Sequence, residues 1–229
     1  MATAHRLEGL KVNALETIRV VDGRGKTITT AVVYEVVMVL DEMEVGELLE
    51  VFTDDFGPFD ADITAWCDAT GHTLEAAQST ARGRRFVIRK GDGISNTSTL
   101  AMVISPDGLE ELLSPLGFAL AAALEGADVS LFFQGPGVRV LTRNFHPKLR
   151  GWGRPFSRFA AAGMAKSGHV SAHEKLRQLH RLGAHIYICA PSMEHFKVRR
   201  DELMFDDVSA VEYLSFMPRM AEADAQLYV

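Results

Sequence analysis

Only two cysteines, Cys67 and Cys189, occur in 229 residues. Two thiols cannot build a disulfide scaffold or a four-cysteine zinc site, so a reducing, cytoplasmic setting is expected. Long apolar runs are missing too. The most apolar stretch, 116–133, is interrupted by Glu125, Gly126 and Asp128, short of the roughly 20 apolar residues that a membrane helix needs. The N-terminus, MATAHRLEGLK, has no apolar signal core. Excess positive charge is absent as well. The net charge is −6, from 24 Lys+Arg against 30 Asp+Glu, and such a chain repels phosphate at long range, so nucleic acid is not an expected partner. What is present is an apolar fraction of 47%, which excludes a mostly disordered chain. The length exceeds a typical domain of ~100–150 residues and leaves room for two.

Charge divides the chain. Residues 1–90 carry ten basic against fifteen acidic residues, whereas 139–175 hold eight basic residues and one acid, Glu174. Hydrophobic spacing divides it in the same way. After an arm of no firm period (1–17), residues 19–22 read as a strand ending in the turn Gly23-Arg24-Gly25. Val32, Val33, Val36, Val37 and Leu40 then follow helical spacing over 29–43, with Thr27 or Thr29 as N-cap. A strand at 47–53, a helix from Asp60 to its glycine stop at Gly71, and strands at 72–77 and 85–90 complete β-α-β-α-β-β. That order predicts a two-layer α+β sandwich over 18–91, with both helices on one face. A Gly-rich linker, 92–96, follows. Beyond it, strands at 100–104, 127–133, 184–189, 208–213 and 225–229 alternate with helices at 107–125, 171–182 and 217–223. This α/β rhythm predicts a parallel sheet covered on both faces. The basic, aromatic segment 142–168 interrupts it, and connections that long tend to be functional or mobile.

Several motifs fall short of chemistry. Gly25-Lys26-Thr27 lacks the earlier glycine of a phosphate loop, since Val20 stands there. Gly135-Pro136-Gly137 reads as a turn with no cofactor role. His169, His173 and His180 share a helical side but have no obvious carboxylate to complete a metal site. No metal and no other cofactor is expected. Arg139, Arg143, Arg150 and Arg154, interleaved with Phe145, Trp152, Phe156 and Phe159, offer an anion-binding or partner-docking surface, with stacking on single-stranded RNA the weaker option. Cys67, inside a helix beside Trp66, reads as a small buried hydrophobe. Cys189 differs. It ends an apolar strand, and in an open parallel sheet the carboxyl ends of strands face the ligand crevice. A following helix start favours a thiolate. His185, His195 and Ser192 are the candidates to assist it.

Two resemblances span nearly the whole chain. The stretch GELLEVFTDDFGPFDADITAWCDATGHTL, with FVIRK after it, resembles the TusA/SirA-like sulfur carriers, matching their pattern at Gly46, Glu50, Asp54, Asp62, Trp66, Cys67 and His72. That family's motif, Asp-x-Arg-Gly-x-x-Cys-Pro-x-Pro, is degenerate here. Asp22, Arg24 and Gly25 are present, but Ile28 takes the cysteine position, so this domain cannot carry sulfur by the family mechanism. The second part, through SLFFQGPGVRVL, IYICAPSMEHFKVRRDEL and MPRMAEADAQLYV, resembles the DsrE/DsrF-like family, labelled peroxiredoxin-related in places. This resemblance implies a flavodoxin-like domain over 97–229, homo-oligomerisation through it, and a sulfur-accepting role for Cys189.

The expectation is a cytoplasmic sulfur-trafficking protein that accepts sulfane sulfur as a Cys189 persulfide. It would be an enzyme only in the sense of a sulfurtransferase-like carrier, with sulfur-carrier or other thiol proteins as partners. The alternative is a non-catalytic binding or regulatory module of sulfur metabolism, using both domains for protein docking.

Overall fold

The computed structural model describes residues 18–229 apart from Ser95 and Ser167. The expected arm, 1–17, lies outside the described residues. The N-terminal part forms β1 (Arg19–Asp22), α1 (Thr29–Asp41), β2 (Leu48–Thr53), α2 (Phe59–Thr70), β3 (Thr73–Thr80) and β4 (Gly83–Arg89). The four strands lie in the order β1-β2-β4-β3, with β1 parallel to β2 and the other pairs antiparallel. Alternation explains its one-sided core. Leu49, Val51 and Thr53 are buried, opposite Ile88 and Phe86, whereas Glu50 faces Val87 on the outer side. The buried face packs against Val32, Val36 and Leu40 of α1 and Ile63, Trp66 and Cys67 of α2. No side chain caps α1, because Ile28 rather than either threonine occupies its N-cap.

The second part contains β5 (Thr99–Ile104), α3 (Leu109–Leu124), β6 (Asp128–Phe133), α4 (Ser157–Lys166), α5 (Ala172–Arg181), β7 (His185–Cys189), α6 (Ala190–His195), β8 (Ser209–Val211), α7 (Tyr213–Glu222) and β9 (Ala225–Tyr228). Its five strands are all parallel, in the order β8-β7-β6-β5-β9. β5 and β6 are near-continuous apolar runs, as strands buried on both faces require. The layering is flavodoxin-like. α3 and α5 cover one face, through Leu116, Leu120, Leu176 and Leu179. The other face packs Ala101, Val103, Phe132 and Cys189 against Phe216 of α7.

The two parts share a core. Trp66 Nε1 donates a buried hydrogen bond to the Leu124 carbonyl (2.9 Å), and Arg181 donates to the Tyr34 hydroxyl (3.3 Å). The N-terminal sandwich therefore sits on the α3/α5 side, leaving the α7 side free of it. The connecting segment is pinned. Ile94 N–H donates to the Thr70 carbonyl (3.1 Å), Asn96 donates to the Glu125 carbonyl (2.9 Å), and a Cβ on Gly91 would lie 1.7 Å from the Gly71 oxygen.

Two segments depart from the sequence expectation. The expected strand at 208–213 stops at Val211, and α7 already starts at Tyr213 with Pro218 inside it. Pro218 leaves the Leu214 carbonyl without its helical donor, but Leu214 is 88% exposed, so water can serve instead. Gly135-Pro136-Gly137 is no isolated turn. It opens a 3-10 helix (Gly135–Leu141) whose Val138, Val140 and Leu141 are fully buried. The basic interruption is structured, with a 3-10 turn (Gly151–Phe156) running into α4 and a bridge from Lys148 to Gly108.

Candidate functional site

Cys189 is the last residue of β7 and pairs with Val211 in register. Side chains alternate along strands, so Cys189 and Tyr187 point to the α7 side together with Phe132, which pairs with Tyr187. There α7 covers the thiol, which is only 1% exposed. The Phe216 ring stacks on Phe132 (4.9 Å, 17°) and packs beside Tyr187 (5.4 Å). The Tyr213 phenol lies beside Cys189. Burial, and next the neighbouring Cys189, push that phenol's pKa up. A polar network continues along the strand ends. Gln134 Nε2 donates to the Tyr228 hydroxyl (2.6 Å) and to Ser105 Oγ (3.0 Å). Such a rim holds a thiol beside a phenolic donor able to stabilise negative charge on sulfur.

The expected helpers are dispersed. Ser192 Oγ accepts a hydrogen bond from Gly135 N–H (3.0 Å), so it ties α6 to the end of β6. His195 is exposed, with its ring edge-on to Phe196 (4.8 Å). His185 begins β7 and faces Asp128 (3.6 Å), and four residues of strand put it about 13 Å from Cys189. Tyr213, Gln134 and Tyr228 were not singled out in the sequence. Apolar spacing carries no trace of them, since their position follows from strand register and from α7 folding back.

Cys67 is buried, and burial first, then Asp68, pushes its thiol up to about 12. The histidines do not gather. His173 is buried and bonds the Val140 carbonyl (3.0 Å), while His180 lies against Asp207 (3.0 Å) and stacks on Phe205 (4.2 Å). Among the described residues no group of three metal-ligating side chains forms. Burial lowers the pKa of His72, with Lys90 adding to the effect, and burial lowers that of His173. His72 Nδ1 also accepts the Gly91 N–H (3.1 Å), which protonation would break. Both groups are depressed in the folded state, so the unfolded chain takes up protons first. The stability they contribute is present above about pH 6.5 and is lost as the pH falls from there through their folded values. The melting temperature is thus expected to drop between pH 7.5 and 5.5, and His72→Gln to lessen the drop. An equal drop in that variant would refute the assignment to His72.

The degenerate loop keeps its framework without its thiol. Arg24 binds Asp22 through both carboxylate oxygens (2.7 and 2.5 Å) and holds its carboxyl at about 2. Gly25, at φ +82°, donates its N–H to Asp54 (2.6 Å), and Thr29 donates to Asp62 (2.6 Å). Ile28 is half-buried. The loop also meets the second part, where a Cβ on Gly168 would lie 2.7 Å from the Thr27 nitrogen.

Of the four arginines, Arg139, Arg150 and Arg154 line one cavity beyond the end of β5. Arg143 turns elsewhere, donating to the Asp201 carbonyl (2.9 Å) and facing Asp206 (3.6 Å). No helix among the described residues is long and apolar enough to cross a membrane.

Residues 99–229, more than half of the chain, match the DsrE/DsrF-like family. Residues 32–90 match sulfurtransferase TusA, a match that begins after Ile28 and so excludes the degenerate motif. No curated protein matches the chain. Among seven solved chains that do, a crystal structure of the ychN protein from E. coli is 17% identical, covering 58% of this chain and 100% of that one, with a TM-score of 0.43. The chain is thus a member of the DsrE/DsrF-like family preceded by a TusA-like domain, both families of sulfur relay.

Proposed function

We propose that Cys189 accepts sulfane sulfur and relays it as a persulfide. The Cys189 thiolate attacks the outer sulfur of a polysulfide or thiosulfate, forming a new S–S bond while the shorter polysulfide or sulfite leaves with the electron pair. An acceptor thiolate then attacks the outer sulfur of the persulfide and releases Cys189 as thiolate. One observation carries this reading: of the two thiols, only Cys189 ends a parallel strand beside a phenolic donor. The acceptors are carrier or other thiol proteins, and the cytoplasm, where thiols stay reduced, suits the chemistry. Intact-mass analysis after incubation with polysulfide tests it, with Cys189→Ser alongside. Sulfur found on Cys67 would sink the assignment.

The second reading is a docking or regulatory module without chemistry. Ile28 in the thiol position favours it, as does the contact of its loop with Gly168. An unreactive Cys189 in the intact protein would select it.

The second domain is also proposed to self-associate through α7 and β9. Leu214 (88% exposed), Tyr228 (70%) and Met217 (55%) form an apolar surface there, of a kind that marks interaction sites. Light scattering should give a multiple of the chain mass, and Leu214→Glu should reduce it toward the monomer. A monomeric wild-type chain would overturn this part.

A further inference from the structure

We infer that the cavity at the carboxyl end of β5 binds a small organic oxyanion, a phosphomonoester or sulfonate carried on an apolar body. The cavity measures about 380 Å³, within the range of ligand pockets of ~300–1,000 Å³. It lies where parallel sheets place their ligands, outside the strand ends. Asp107 and Gly108 enter it from the end of β5, Arg139 from the 3-10 helix after β6, and Lys148, Arg150 and Arg154 from the basic segment.

The charges in this cavity are not equivalent. Arg139 is held by Asp107 (2.5 Å) and by the Phe145 and Phe196 rings (5.7 and 5.1 Å). Arg150 is held by Glu111 (2.9 Å), while its N–H donates to Glu110 (3.1 Å). These carboxylates offset much of the charge of the two arginines and fix their positions. Lys148 and Arg154 have no carboxylate partner among the described residues, and the buried Nε of Arg139 has no hydrogen-bond acceptor there. Two cations without a carboxylate partner and an orphan donor call for an anionic ligand. Phe145 and Leu149 supply an apolar wall, and the volume exceeds what a bare tetrahedral anion fills. Cys189 is not among the lining residues, so this site stands apart from the sulfur chemistry.

Calorimetric titration of the full chain at low salt tests the inference, with phenyl phosphate, inorganic phosphate and thiosulfate as probes. Phenyl phosphate is expected to bind once per chain, about tenfold more tightly than either inorganic anion. The double variant Lys148→Ala, Arg154→Ala should weaken it by at least tenfold, on the scale of charge-assisted hydrogen bonds. Both residues are exposed, so the fold should survive, and unchanged thermal melting would confirm that. Arg143→Ala and Cys189→Ser should bind as the wild type does. Absence of saturable binding, undiminished binding in the double variant, or equal affinity for phenyl and inorganic phosphate would each overturn it. Failure of persulfide loading with intact phosphate binding would instead count against Cys189 alone.

Discussion

After incubation with polysulfide, the wild-type chain is expected to gain ~32 Da per sulfur, and Cys189→Ser to gain nothing. The expectation rests on the contrast between the two thiols. The nucleophile is the thiolate. Burial holds the Cys67 thiol up at about 12, so at pH 7.5 on the order of one Cys67 in 10⁴–10⁵ is ionised. Cys67→Ala should therefore load as fully as the wild type. Both cysteines are buried, so exposure alone does not choose between them. Position does, since Cys189 lies at the rim of the sheet under a single helix and Cys67 lies between two layers. Loading that persists in Cys189→Ser would end the persulfide reading.

Phe216→Ala is expected to speed alkylation of Cys189 by on the order of 100-fold while leaving Cys67 unchanged. Phe216 is the buried residue of α7, and its stacking on Phe132 is what seats that helix over the thiol. Removing a core phenylalanine costs about 3–5 kcal/mol. Much of that would fall on the docking of α7, whose other face already exposes Leu214 and Met217. Each 1.4 kcal/mol shifts an opening equilibrium tenfold, so a loss of about 3 kcal/mol gives the stated factor. Tyr213→Phe removes the phenolic donor but keeps the ring, and should leave alkylation far less changed. Equal rates for wild type and Phe216→Ala would mean that reagents reach Cys189 by a path that does not open α7.

Local pattern carried the element order. Alternation in 47–53 and the apolar runs at 100–104 and 127–133 are readable because burial on one face or on two imposes its own period. The C-terminal helix was misplaced for an equally local reason. The expected helix at 217–223 begins instead at Tyr213, because the chain runs helical through Pro218 with the orphaned carbonyl on the exposed side. His185 looked close to Cys189 at four residues, a spacing that brings side chains together on a helix but sets them far apart on a strand. The arginines were legible as a basic segment. That three of them share a cavity and Arg143 does not depends on Lys148 pairing with Gly108, a contact across forty residues.

The sequence by itself determined which atoms are available for sulfur chemistry. It holds two thiols, and Ile28 stands where a TusA-like carrier needs a third. Tertiary structure decided what can be done with them. It sealed Cys67 between layers and placed the Tyr213 phenol and the Phe216 ring over Cys189. It also set the acidic sandwich against the opposite face of the sheet. The reason is that periodicity records only whether a residue is buried. The partner that buries it comes from a distant part of the chain, through register and packing that no local window contains.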